Sequence, residues 1–219
     1  MSKILVTRSS MPDIEEYMGQ IKGLWESRWL TNVGSLHREL TEKLKNYLNV
    51  DCFELFSSGH MALETAIQAS GLTGEVITTP YTFLSTTQAI VRSGLTPVFC
   101  DIDPVRLTID AGRIEPLITE RTSAIVAVHV YGIPCDVEAI ERIARKHHLK
   151  VIYDAAHAFG VSYKGKNIAE YGDCAMFSFH ATKVFHTIEG GGASFRDEKT
   201  AKKARHLRDF GLCPGGEEA

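Results

Sequence analysis

The apolar residues of this chain change rhythm along its length. Over 35–48 they recur every three or four positions, at Leu36, Leu40, Leu44, Tyr47 and Leu48, which predicts a helix. Residues 14–25 carry a weaker version of the same pattern. Residues 53–56 read as a short strand, followed by a small-residue turn, Ser57, Ser58 and Gly59, and a helix over 62–70. Beyond it, runs rich in valine and isoleucine alternate with amphipathic stretches. Strands are predicted over 76–79, 96–102, 124–131, 151–153, 175–177 and 193–195, and helices over 86–92, 113–118, 137–147 and 198–208. In the 137–147 stretch Val137, Ile140, Ile143 and Ala144 share one face. Alternating strands and helices of this kind predict a doubly wound α/β fold with a mainly parallel sheet.

Such sheets bind ligands off the carboxyl ends of their strands. Ser58, Phe83, Asp154 and Ser178 all fall at or just after such ends. The turn before the 62–70 helix is a candidate anion site, because the first amides of a helix have no partner within it. A plain helix cap by Ser58 explains the same residues. The turn is neither G-x-G-x-x-G nor a Walker A loop, which argues against dinucleotides and nucleoside triphosphates. Over 174–195, CAMFSFHATKVFHTIEGGGASF, Lys183 sits in a polar turn between two apolar runs and beside Gly190, Gly191 and Gly192. A lysine taken out of water loses its proton more easily and becomes a nucleophile, the requirement for Schiff-base chemistry. In a solvated turn it would be an ordinary surface lysine.

Composition narrows the classes. A chain of 219 residues is enough for one substantial α/β domain. Its net charge of −3 offers no electrostatic case for nucleic acid or an anionic membrane. No apolar run approaches the ~20 residues of a membrane helix, and the first residues lack the apolar core of a secretory signal. The five cysteines, Cys52, Cys100, Cys135, Cys174 and Cys213, form no C-x-x-C pair and read as reduced thiols of a cytoplasmic protein. His157, His180 and His186 lack metal-ligand spacing, so no metal is expected. No G-x-S-x-G points to a serine hydrolase.

The segments SSGHMAL, TTPYTFLSTTQAI, PVFCDID, AIVAVHVYGIP, VIYDAAHAFG and FSFHATKVFHTIEGGG together resemble the DegT-type sugar-nucleotide aminotransferases. The likeness runs from about Leu30 to Leu212. It implies the large domain of a fold type I transferase using pyridoxal 5′-phosphate, with a mostly parallel seven-stranded sheet flanked by helices. By position, the resemblance makes Lys183 the amine that binds the cofactor's aldehyde and moves the substrate's proton. It makes Asp154 the partner of the pyridine nitrogen, Phe83 the ring-stacking aromatic, and His157 a contact to the ring face or its phenolic oxygen. A strand-end cap for Asp154, core packing for Phe83 and a structural role for His157 are the competing readings. The phosphate is expected on the amides after Gly59, those of His60 and Met61, with the Ser178 hydroxyl adding a bond. Relatives commonly carry threonine where this chain has His60.

WLTNVGSLHRELTEKL and FHATKVFHTIEGG look most like the branch that aminates a 4-keto-6-deoxy sugar on a nucleoside diphosphate. The implied partners are a nucleotide-linked keto sugar, L-glutamate as amino donor, and a second copy in a homodimer. The expected organisation is an N-terminal arm over 1–34, a cofactor-binding large domain over 35–212 and a polar tail over 213–219, with the family's smaller C-terminal domain absent. Trp25 and Trp29 in the arm are expected to pack on a partner subunit or on the chain's own core. Two alternatives stay open. One is a cofactor-binding chain with impaired catalysis. The other is a different fold type I reaction such as sugar dehydration, against which Lys183 argues.

Overall fold

Side chains that alternate along the strands divide the interior into two apolar layers. A computed structural model describes residues 4–5 and 7–211. In chain order the elements are α1 (Ile14–Ile21), α2 (Gly23–Ser27), α3 (Ser35–Leu48), β1 (Cys52–Phe56), α4 (Gly59–Ala69), β2 (Glu75–Thr78), α5 (Ser85–Arg92) and β3 (Thr96–Phe99). They continue with β4 (Thr122–Val128), α6 (Val137–His147), β5 (Lys150–Asp154), β6 (Ser162–Tyr163), β7 (Lys166–Asn167), β8 (Cys174–Ser178), β9 (Gly191–Phe195) and α7 (Glu198–Arg208). Seven strands form one sheet in the order β1-β9-β8-β5-β4-β2-β3. All neighbours pair in parallel except at β9, which runs antiparallel to β1 and to β8.

Ile125, Ala127, Val151, Tyr153, Ala175 and Phe177 face one layer, closed by Leu44 and Leu48 of α3 and Val137, Ile140 and Ala144 of α6. Their neighbours Ala124, Val126, Ile152, Cys174 and Met176 face the other, closed by α4, α5 and α7 through Ala62, Leu63, Ala66, Ile90, Ala201 and Ala204. Burial on two faces is why these strands read as nearly continuous apolar runs. The parallel strands end together, so Val128, Asp154 and Ser178 come to one edge of the sheet.

Several expected boundaries move. Helix α4 begins at Gly59 rather than at 62, because Ser58 caps it: Ser58 Oγ accepts from the Met61 amide at 3.2 Å. The strand expected over 124–131 stops at Val128, and Val130–Gly132 is a 3-10 turn with Tyr131 at φ 53°. The strand expected over 96–102 stops at Phe99, and the helix expected over 113–118 is two 3-10 turns, Ala111–Arg113 and Glu115–Leu117. The β6–β7 hairpin has no apolar pattern to announce it. Helices α1 and α2 bury no residue, and Trp25 is 69% exposed. Trp29 lies under the Arg38 guanidinium at 4.5 Å. Cys52, Cys100, Cys135 and Cys174 are free thiols. The tail expected over 213–219, Cys213 included, lies outside the described residues. Among the described residues no helix is long and apolar enough to cross a membrane.

Candidate active site

Asp154 is the last residue of β5, flanked by β4 and β8, which is why its side chain is 5% exposed. Its two oxygens accept from Thr86 Oγ1 at 2.7 Å and from the Ala156 amide at 3.1 Å, and both donors are neutral. Thr86 Oγ1 is also 2.8 Å from Thr82 Oγ1. Burial pushes the Asp154 carboxyl above its ordinary pKa, while Thr86, the Ala156 amide, His157 and Lys183 pull it back. A buried carboxylate whose hydrogen-bond donors are all neutral can hold a cationic group in the cavity.

Lys183 reaches the same cavity from the turn between β8 and β9. That turn folds back on itself: the Phe179 amide donates to Gly190 O at 2.9 Å and the Ala181 amide to Ile188 O at 2.8 Å. Phe179 and Phe185 seat it on Phe159, with ring centroids 5.8 and 4.7 Å away. Lys183 is half-buried, and loss of water lowers its pKa against the opposing pull of Asp154. The lysine is therefore not a fully solvated turn residue.

At the other end, Gly59, His60 and Met61 open α4. The Met61 amide is already taken by Ser58, and the Met61 side chain is 40% exposed, so the Gly59 and His60 amides remain for an anion. A Cβ on Gly59 would lie 2.8 Å from Ser178 Cβ, and one on Gly191 would overlap the Gly59 amide and Ser58 carbonyl carbon. Glycine at these places lets β8, β9 and the start of α4 close up, so that Ser178 and the helix amides border one space.

That space is a cavity of about 480 Å³ lined by Gly59, His60, Phe83, Asp154, His157, Ser178 and Lys183, among others. Seven of the eight residues singled out in the sequence meet there, and Met61 does not. Phe83 is 74% exposed, which removes core packing as its explanation. His157 Nδ1 accepts from the Tyr131 amide at 3.3 Å, so in the neutral ring Nε2 carries the proton. Thr82, Thr86 and Tyr131 were not anticipated. The hydroxyl run Thr82, Ser85, Thr86 and Thr87 marks the stretch but not which hydroxyl meets Asp154, and nothing in the sequence marks the left-handed turn at Tyr131. The donor set suits a flat cationic heterocycle with a phosphate and an aldehyde, the parts of pyridoxal 5′-phosphate. It provides a buried carboxylate with neutral partners, an exposed aromatic ring, a half-buried amine and open helix amides.

Residues 12–218 match the profile described as the DegT/DnrJ/EryC1/StrS aminotransferase family. The chain belongs to that family. Among curated relatives, the dTDP-4-amino-4,6-dideoxy-D-glucose transaminase of Shigella dysenteriae is 48% identical over 208 residues, 95% of this chain and 57% of that protein. Among solved structures, DesI in the presence of its TDP-sugar product superposes with a TM-score of 0.93 at 36% identity, covering 98% of this chain and 55% of DesI. The PLP form of a putative sugar aminotransferase, Spr1654 from Streptococcus pneumoniae, superposes at 0.89 with 27% identity, covering 100% of this chain and 61% of that one. This family member thus spans a little over half the length of the relatives it matches.

Proposed function

We propose that this chain supplies the cofactor site of a pyridoxal-phosphate-dependent aminotransferase that moves an amino group from L-glutamate to a nucleotide-linked keto sugar. The favoured acceptor is dTDP-4-keto-6-deoxyglucose, supported by the 48% identity to a dTDP-4-amino-4,6-dideoxy-D-glucose transaminase. The observation that carries the reading is the buried carboxylate of Asp154 and the half-buried amine of Lys183 on one cavity. Pyridoxal phosphate supplies an aldehyde for amines to condense with and a ring that withdraws electrons when its nitrogen is protonated.

Lys183 is read as the amine that holds the cofactor. Its lowered pKa leaves more of it neutral, and so nucleophilic, near neutral pH. With the cofactor bound, Lys183 Nζ would be the group placed to move a proton at the substrate carbon. Asp154 would hold the pyridine nitrogen and keep it protonated, with Thr86 and the Ala156 amide fixing the carboxylate's direction. Phe83 would cover one ring face. His157, bonded to the Tyr131 amide through Nδ1, would offer Nε2–H to the phenolic oxygen. The Gly59 and His60 amides and the Ser178 hydroxyl would hold the phosphate. We read 1–34 as an arm, 35–212 as the cofactor-binding domain and the whole as a cytoplasmic homodimer. The free thiols and the exposed Trp25 and Trp29 support the last two points.

The test is chemical. Borohydride treatment after addition of pyridoxal phosphate, followed by peptide mapping, is expected to label Lys183. A label on Lys164 or Lys166 would overturn the assignment. Amino transfer from glutamate is then assayed on 3-keto and 4-keto sugars carrying different nucleotides, and inactivity of every one rejects the substrate class.

A further inference from the structure

His60 is the second residue of α4, and its ring bridges two helices. Nδ1 lies 2.9 Å from Ser85 Oγ at the start of α5, and Nε2 lies 3.3 Å from Glu64 Oε2 one turn along α4. Glu64 is 7% exposed, and the same oxygen accepts from Arg92 Nε at 2.8 Å. Gln68 Nε2 reaches the other Glu64 oxygen at 3.5 Å. A buried carboxylate paired with an arginine only accepts hydrogen bonds. His60 must therefore donate from Nε2, which leaves Nδ1 for Ser85. Ser85 and His60 both border the cavity, beside Gly59 and Ser178.

We propose that Ser85 donates a hydrogen bond to the phosphate of the cofactor and that the chain Arg92–Glu64–His60 positions it. The proposal rests on the reading of the cavity as a pyridoxal-phosphate site. With Nε2 committed to Glu64, Nδ1 is the ring atom that faces Ser85 Oγ and fixes where that oxygen sits. The hydroxyl hydrogen turns about the Cβ–Oγ bond, either toward Nδ1 or toward the cavity. A charged phosphate oxygen is the stronger acceptor, so its arrival turns the hydroxyl toward the cavity without breaking a covalent bond. Glu64 of α4 and Arg92 of α5 are the charged groups in the chain itself. Lys183, His180 and Glu189 of the lysine turn, with Asp154 and His157 at the end of β5, share the cavity.

Pyridoxamine 5′-phosphate and pyridoxamine separate this idea from the chemistry at Lys183, because neither carries an aldehyde. Their affinities are measured by equilibrium dialysis for the wild type, Ser85→Ala, His60→Ala and the double variant. Ser85→Ala is expected to lose about tenfold for the phosphate ester, the worth of one hydrogen bond to a charged group, and nothing for pyridoxamine. In the Ser85→Ala background, His60→Ala should cost no more than about twofold further, because the two act as one unit. Wild-type affinity of Ser85→Ala for the ester overturns the proposal, as does an equal loss for the two ligands, which marks a structural effect. If Ser85→Ala does not fold by circular dichroism, Ser85→Cys keeps the volume, removes the strong donor and is read the same way. A wild type that does not prefer the ester to pyridoxamine refutes the cofactor site itself, a result distinct from the others.

Discussion

Asp154 and Lys183 face one cavity from walls of opposite construction. Asp154 ends a central strand with a parallel neighbour on each side, and its carboxylate is held by a buried threonine and a backbone amide. Lys183 belongs to a turn whose crest is open, with Val184 81% and Ile188 61% exposed. That turn is pinned by side chains bonding to nearby backbone. His180 Nδ1 accepts from the Thr182 amide at 3.3 Å, His186 Nδ1 from the Ile188 amide at 3.2 Å, and Thr187 Oγ1 donates to Glu189 O at 2.8 Å. The arm adds two long-range ties, from Ser9 Oγ to Ala181 O and between His186 Nε2 and Ser10 O, each 2.6 Å. The carboxylate wall is held by sheet pairing on both sides, and the lysine wall by local side-chain bonds and two ties to the arm, with its crest open to solvent.

The sharpest break in that contrast is Lys183→Ala. It should abolish borohydride labelling and lower amino transfer by about three orders of magnitude or more, with the fold intact by circular dichroism. Retained turnover would remove the lysine wall from the chemistry. In the wild type, the rate of cofactor attachment should rise with pH and level off below the pH at which an ordinary lysine would. The lowered pKa frees the amine earlier, and stopped-flow absorbance reads it.

Asp154→Asn comes next. The amide cannot keep the pyridine nitrogen protonated, so the half-reaction with glutamate should slow by about a hundredfold or more. Stability should move the other way. Burial raises the carboxyl's pKa in the fold, so between the ordinary value of about 3.8 and that raised value the folded chain holds a proton the unfolded chain has released. Stability from this group therefore falls as pH rises through that window. In the cofactor-free chain, the variant should flatten this dependence and melt no lower than wild type at neutral pH. A large drop in melting temperature would mean that Asp154 is chiefly a structural cap.

Thr86→Val tests the carboxylate wall with a smaller change. Val matches the shape and removes a buried hydroxyl, at a cost of about 1–2 kcal/mol, or roughly 2–4 °C in melting temperature per kcal/mol for a chain of this size. It should also weaken pyridoxamine phosphate binding by letting the carboxylate turn. An unchanged melt and affinity would show that the Ala156 amide alone suffices.

The smallest effect is expected from Ser9→Ala with His186→Gln. Melting should shift by no more than about 2 °C, yet amide exchange over 179–190 should quicken while exchange in β5 stays as it was. Uniform exchange across the two regions would erase the contrast between the walls.

Regular elements were legible where burial is one-sided and periodic. The 35–48, 137–147 and 198–208 helices stand where expected, because their apolar stripes face the sheet, and the last two are also capped by Asp136 and Asp197. The strands at 96–102 and 124–131 came out short, since an apolar run does not say where its hydrogen-bonding neighbour stops. Asp154, Phe83 and Ser178 could be named from strand-end position and Lys183 from its turn beside three glycines, while His157 came from the family resemblance. Thr86 could not, because nothing local distinguishes it from Thr87, and only the crossing of α5 over the end of β5 carries its hydroxyl to Asp154.

The amino-acid sequence by itself determined which residue types stand at the strand ends, the alternation that builds a two-faced sheet, and family membership, because these depend on local order and spacing. Tertiary structure decided the charge environment. Sheet order buries Asp154 with neutral donors, glycine at 59 and 191 lets separate elements touch, and the α4–α5 contact joins Glu64, His60 and Ser85 into one chain. Desolvation and hydrogen-bond direction depend on which distant segments meet, and no window of sequence contains that information.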